Sequence, residues 1–295
     1  MDHQVELVLD AKAELGEGAL WDPATQRLLW IDIVRGEVHR FDPVTHRDQA
    51  INVGQMVGAV VPRAGGGLMV AVKDGFASLD ANGGELTIVA SPEAHLPGNR
   101  FNDGKCDPAG RFWAGTMSLT GDPWKEAAGS LYSLEAGGQA TARLSGVCIS
   151  NGIVWSADAQ TMYFVDTVLP RVDAFDYDNA TGDISNRRTV VNIPDGFGSP
   201  DGMTIDADDN LWIAMWGGWK VLGYNPRAGQ PVGVVHVPAA QVTSCAFGGP
   251  NLDELYVTSA WIGLSDGAKA LQPLAGGLFV ARPGAKGVPA VAFAG

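Results

Sequence analysis

Apolar runs of four or five residues recur along the chain, rich in β-branched and aromatic side chains and bounded by Gly, Asp or Asn. Six of them occupy residues 28–32, 68–72, 112–115, 162–166, 211–215 and 255–259. That length and punctuation predict strands; a helix would need a longer run of period 3.6. A second short run follows each, at 37–41, 76–79, 130–134, 172–175, 221–224 and 278–280. Most of these stop at a turn acid or amide: Asp42, Asp80, Glu135, Asp176 or Asn225. A step of small residues opens each unit, so one pattern of about 46 residues repeats, and periods of this size mark propellers and solenoids. The expected fold is all-β, a six-bladed β-propeller forming a single domain over 1–295. The start strand, 5–9, is expected to pair with the final blade and close the ring, because closure removes an exposed edge. A two-sheet sandwich is the plainer rival. A WD-repeat propeller is disfavoured, since Trp21-Asp22 occurs once without a recurring Gly-His partner.

Composition supports this reading. With 39 Gly and 17 Pro among 295 residues, turn formers are too frequent for a helical bundle. The net charge of −13 and the absence of any basic run argue against nucleic acid as a partner. No apolar span of twenty residues and no basic-then-apolar start is present, so neither a membrane helix nor a signal peptide is expected. Cys106, Cys148 and Cys245 are odd in number and widely spaced, which fits neither a disulfide framework nor a zinc motif. A cytoplasmic location follows as the expectation.

The repeats also align a functional slot. The residue opening each blade is read as Glu17, Val57, Asp103, Asn151, Asp201 and Thr243, and Gly directly follows Glu17, Asp103, Asn151 and Asp201. Equivalent inner positions of a propeller face one channel, so Glu17, Asn151 and Asp201 are expected to converge. Two carboxylates and an amide oxygen in a confined space call for a cation, and oxygen-only ligation suits Ca²⁺, Mg²⁺ or Mn²⁺, with Zn²⁺ left open. Taken singly, each Asp-Gly or Asn-Gly is an ordinary tight turn; the recurrence at one slot is what favours a site. Rival motifs fail. Asp206-x-Asp208-x-Asn210 begins like an EF-hand loop, but Leu211 stands at its glycine position and Gly217 at its bidentate glutamate. The five histidines lack zinc-protease spacing, and no G-x-S-x-G elbow is present. Trp30, Trp113, Trp155 and Trp212 fall in repeated strand positions and read as core; Trp216 or Trp261 could wall a sugar pocket.

Several islands then carry a family resemblance: Leu15-Gly16-Glu17-Gly18, Arg100-Phe101-Asn102-Asp103-Gly104-Lys105, Ala114-Gly115-Thr116-Met117, Ile149-Ser150-Asn151-Gly152, Pro200-Asp201-Gly202-Met203 and Cys245-Ala246-Phe247-Gly248-Gly249. Together they span essentially the whole chain, which resembles the regucalcin / senescence marker protein / gluconolactonase family of six-bladed propellers. The resemblance implies a divalent-metal lactonase whose metal ligands fall on Glu17, Asn151 and Asp201. It implies that Arg100 and Asn102 contact substrate and that Asp201 is the general base. One departure is visible. An acidic residue usually follows the Gly-Thr-Met by a few positions, whereas Ser118-Leu119-Thr120 stands here; Thr120 could still bond a sugar hydroxyl, in a pocket of different charge. The expected activity is opening of an aldonolactone such as gluconolactone, arabinonolactone or xylonolactone. The alternatives are a calcium-binding regulatory propeller without catalysis and an organophosphate or ester hydrolase on the same fold.

Overall fold

Every run singled out as a strand is a strand in the computed structural model, which describes residues 2–80 and 84–295. After β1 (Asp2–Gln4) and β2 (Glu6–Leu9), the strands β3 (Gly16–Asp22), β4 (Arg27–Asp32), β5 (Glu37–Asp42) and β6 (Arg47–Asn52) pair consecutively and antiparallel into a four-stranded sheet. Three further sheets repeat that order. The first is β7 (Val57–Pro62), β8 (Leu68–Val72), β9 (Gly75–Leu79) and β10 (Leu86–Ala90). The second is β11 (Asn99–Cys106), β12 (Phe112–Ser118), β13 (Gly129–Leu134) and β14 (Ala140–Val147). The third is β15 (Ser150–Trp155), β16 (Thr161–Asp166), β17 (Arg171–Tyr177) and β18 (Ile184–Asn192).

The remaining strands are β19 (Ser199–Ile205), β20 (Leu211–Trp216), β21 (Lys220–Asn225), β22 (Gln230–His236), β23 (Gln241–Gly248), β24 (Glu254–Ala260) and β25 (Leu278–Ala281). With β1 and β2 they form a nine-stranded sheet. It consists of two antiparallel runs, β19 to β22 and β23 to β25, joined through the single pair Trp216 and Gln241. The start strand pairs as expected: β2 lies antiparallel on β25. The sequence did not foreshadow β1, which lies parallel on the outer edge of β22, or the short helix α1 (Asp266–Leu271), which Ser265 caps.

Burial sorts the strands by position in each run. The first three are nearly all buried; the fourth is mostly exposed, as in β18, whose sequence ISNRRTVVN faces water. Apolar faces of neighbouring sheets pack on one another, for example Leu29 and Val38 against Val60, Val70 and Ala77. The first strands touch in a cyclic order, β3 to β7, β11, β15, β19, β23 and back to β3. After β25 the chain crosses the opposite strand ends. There Ala207 N–H donates to the carbonyl of Lys286, Gly287 to that of Leu252, Phe293 to that of Pro62 and Ala294 to that of Gly110.

Registry corrects the sequence alignment of the slot. The residue just before it always pairs with the end of the second strand: Gly16 with Asp32, Val57 with Val72, Phe101 with Thr116, Ser150 with Asp166, Pro200 with Met215 and Val242 with Ser259. The equivalent residues are therefore Glu17, Gly58, Asn102, Asn151, Asp201 and Thr243. Val57 and Asp103 are each one residue out. A β-bulge at or just after the slot in every first strand is the cause. In β11 the bulge contains Asn102 and Asp103 together, so Asp103-Gly104 mimics the Glu17-Gly18 step.

Candidate active site

Close approach of the first strands brings the slot side chains together, and two glycines permit it. A Cβ on Gly152 would lie 2.7 Å from the Asp201 carbonyl oxygen and 2.9 Å from the Met203 nitrogen. One on Gly202 would lie 2.7 Å from Ser244 Oγ and 2.8 Å from the Thr243 carbonyl oxygen. Any larger residue at these places would force β15, β19 and β23 apart. The glycine after Asn151 and after Asp201 is thus a spacer between strands.

Glu17, Asn102, Asn151 and Asp201 are all buried, as is Arg100 two positions before Asn102. Arg100 Nη1 donates to Asn102 Oδ1 at 2.6 Å and to the Phe101 carbonyl at 2.9 Å, and Asn102 Nδ2 donates to the Ser150 carbonyl at 2.7 Å. Asn151 Nδ2 donates to Thr167 Oγ1 at 2.9 Å, which fixes the amide with its oxygen turned away from that bond. Asn151 Oδ1 and Asp201 Oδ1 are buried with no hydrogen-bond partner. Such oxygens carry an unrecovered desolvation cost of about 1–3 kcal/mol each unless a cation or proton meets them.

Electrostatics agree. Burial, then the charge of Asp103, pushes the Glu17 carboxyl up to about 8. Burial and the charges of Glu17 and Asp103 hold the Asp201 carboxyl well above its ordinary range. Burial lowers Arg100 to about 10, although Glu17 and Asp201 oppose that shift. Carboxyls that resist ionisation beside one buried guanidinium form a site short of positive charge. Among the described residues no three His, Cys, Asp or Glu side chains are grouped as a ready-made metal cage. A divalent cation would be met here by Glu17, Asp201 and the neutral Asn151 oxygen, a hard all-oxygen set that the orphaned atoms fit.

Thr120 is exposed, two residues after β12, with its Oγ1 2.7 Å from where a Gly98 Cβ would be. Trp30, Trp113, Trp155 and Trp212 are buried as expected. Trp216 and Trp261 are half-buried, and Trp261 donates its Nε1–H to the Lys12 carbonyl while Lys269 Nζ sits 3.9 Å above its ring. Sequence reasoning placed Asp103 in the aligned slot without making it a ligand, and assigned no role to Lys105 or Thr167. Lys105 Nζ donates to the Met203 carbonyl at 2.8 Å, tying β11 to β19, and its charge opposes the rise that burial imposes on Asp103. Lys105 lies in the Arg100–Lys105 island, the one signal that could have found it; Thr167 had none. Beyond the slot, a cavity of about 280 Å³ is lined by Lys105, Trp155, Phe247 and the crossing segment at Val288 and Val291. The slot residues do not line it.

The comparisons with known proteins converge. Residues 15–261 match the family model described as the SMP-30/Gluconolactonase/LRE-like region. The chain is 41% identical over 293 residues to regucalcin of Danio rerio, covering 99% of both. It is 38% identical to a Bacillus subtilis protein provisionally named a sugar lactone lactonase, covering 98% of both. Among solved structures, a calcium-binding protein, regucalcin, from Agrobacterium tumefaciens superposes with a TM-score of 0.93 at 31% identity, covering 99% of both chains.

Proposed function

Because the chain belongs to the SMP-30/Gluconolactonase/LRE-like family, we propose that it hydrolyses a sugar lactone to the aldonic acid with one divalent cation held by Glu17, Asn151 and Asp201. The observation that carries this reading is the pair of partnerless buried oxygens, Asn151 Oδ1 and Asp201 Oδ1, among acids that resist ionisation. When bound, a divalent cation supplies Lewis-acid stabilisation to the oxyanion of ester hydrolysis. The chain's own groups do the rest. Asp201, ionised, takes a proton from the attacking water as its oxygen bonds to the lactone carbonyl carbon, help worth about 10²- to 10⁴-fold in rate. The ring C–O bond then breaks, and Asp201 returns the proton to the departing ring oxygen. Arg100, its Nη1 anchored on Asn102 and on the Phe101 carbonyl, presents its remaining N–H groups to substrate oxygens. Asn102 acts chiefly by holding that guanidinium; Thr120, exposed after β12, would bond a substrate hydroxyl.

The same reading takes the four sheets and the two runs of the fifth as six blades of one propeller over 1–295, with β2 completing the last. The bond from Thr243 Oγ1 to the Gly16 carbonyl, 2.5 Å, supports a join between last and first. Three free thiols fit a reducing, cytoplasmic setting. The test is a panel of gluconolactone, arabinonolactone and xylonolactone with the protein as purified, after chelation and after restoring Ca²⁺, Mg²⁺, Mn²⁺ or Zn²⁺. Hydrolysis at the buffer rate for every lactone and metal would refute catalysis, and tight Ca²⁺ binding in that case would assign the same donors to a binding role alone.

A further inference from the structure

Two positions before the slot, the first strands carry a second ring of equivalent residues. Arg100 pairs with Met117, Ser199 with Trp216 and Gln241 with Ala260. At the same level the carbonyls of Leu15, Met56 and Ile149 accept from the N–H groups of Ile33, Lys73 and Thr167. Arg100 shows what this level faces, because its Nη1 bonds Asn102 Oδ1 in the slot. The C-terminal segment crosses the other end of the first strands, where Phe293 bonds Pro62 and Ala294 bonds Gly110, so this ring lies on the uncrossed side of Glu17, Asn151 and Asp201. In the cyclic order of the first strands, β11 and β23 are equally far apart in either direction, which sets Arg100 and Gln241 opposite each other.

Gln241 is buried, and its Nε2 donates to the Ile262 carbonyl at 2.9 Å. Only the NH₂ end of an amide can make that bond, so the orientation of the side chain is fixed. Its Oε1 is left buried with no hydrogen-bond partner. A buried amide oxygen without a partner carries an unrecovered desolvation cost, which a ligand hydroxyl would recover. Aromatic surface adjoins it: Trp216 pairs with Gln241 where β20 meets β23, Trp261 precedes the Ile262 that anchors the amide, and both indoles are half-buried. The opposed walls have complementary chemistry. The Arg100 guanidinium only donates and takes substrate oxygens, whereas Gln241 Oε1 only accepts and takes a hydroxyl hydrogen.

We propose, resting on the lactone-opening reading of the slot, that Gln241 determines specificity by accepting a hydrogen bond from a substrate hydroxyl opposite Arg100. A lactone without that hydroxyl leaves the buried oxygen unpaired and is discriminated against. The test is the ratio of kcat/KM for glucono-δ-lactone to that for δ-valerolactone, the same ring bare of hydroxyls, in the parent, in Gln241→Leu and in the exposed control Gln160→Leu. The parent and the control should share one ratio. In Gln241→Leu it should fall about three- to tenfold, chiefly through a raised KM for glucono-δ-lactone. An active parent whose ratio is unchanged in Gln241→Leu, or a loss of equal size on both lactones, would overturn the role of Gln241 alone. A parent inactive on every lactone would overturn the lactone-opening reading and this role with it. Should Gln241→Leu fail to fold, Gln241→Asn, which keeps the amide but draws its oxygen back by a methylene, is read by the same ratio.

Discussion

Gly152→Ala probes the step from packing to chemistry. The added methyl carbon would stand 2.7 Å from the Asp201 carbonyl oxygen and 2.9 Å from the Met203 nitrogen, both backbone atoms of β19 that no rotamer change can move away. Overpacking of this kind costs about 1–3 kcal/mol, and rigid neighbours place this case near the upper end. Relief requires β15 and β19 to separate by several tenths of an ångström, and the strand displaced carries Asp201 itself. Misplacement of a reacting group approaching 1 Å costs on the order of 10²-fold in rate. The variant should therefore melt lower by about 3–5 °C and lose turnover more steeply than stability. Gly137→Ala, where nothing lies within 4 Å of the added carbon, is the matched control. The assay is a thermal melt alongside lactone hydrolysis at a temperature where both proteins are folded. A Gly152→Ala protein with the parent's melting curve and turnover would refute the claim that this glycine spaces the site.

Asp201→Asn should fold as well as the parent, keep near-parental substrate KM and lose about 10²- to 10⁴-fold in kcat; unchanged kcat would remove Asp201 as the base. Asp107→Asn should be among the most damaging distant changes. Its fully buried carboxylate accepts from Tyr177 Oη at 2.7 Å, Trp113 Nε1 at 2.8 Å and Arg111 Nη1 at 3.1 Å, and losing that charge costs about 3–5 kcal/mol in chemical denaturation. Thiol titration of the native protein should modify Cys148 slowly and spare buried Cys106 and Cys245, with all three reacting in denaturant. Burial pushes the Cys245 thiol from 9.0 up to about 12, so the unfolded chain loses that proton first. Stability should consequently fall from pH 9.0 towards about pH 12, and Cys245→Ala should flatten that slope.

Strands that are buried on both faces were legible in the sequence because their signal is composition as much as period. β8, read as Leu-Met-Val-Ala-Val, could be little else. The outer strands were not, since β18 and β6 place one or both faces in water and carry no apolar alternation. Helix α1 buries none of its residues and left no amphipathic trace. At the candidate site, Glu17, Asn151 and Asp201 stood out because a repeat turns distant positions into equivalents. The one-residue errors at Val57 and Asp103 have a physical source: a bulge adds a residue to one strand only, and counting along a sequence cannot locate where that residue is inserted. The roles of Lys105 and Thr167 rest on bonds to the Met203 carbonyl and to Asn151, partners on other strands that spacing within their own segments does not encode.

The first residues of the chain belong to sheets built from its last third. Asp2 aligns with Val234, and Glu6 with Val280. On a ribosome the N-terminal strands emerge first and have no partner until nearly the entire chain has been made. Until then the outer edges of β22 and β25 are open to any other extended segment, including those of a second nascent copy. Native pairing has to wait for a loop closure spanning more than two hundred residues, which makes it a late and slow event. The vulnerable interval for this protein is therefore in its synthesis, and removing the first nine residues should harm yield more than it harms the activity of the molecules that do fold.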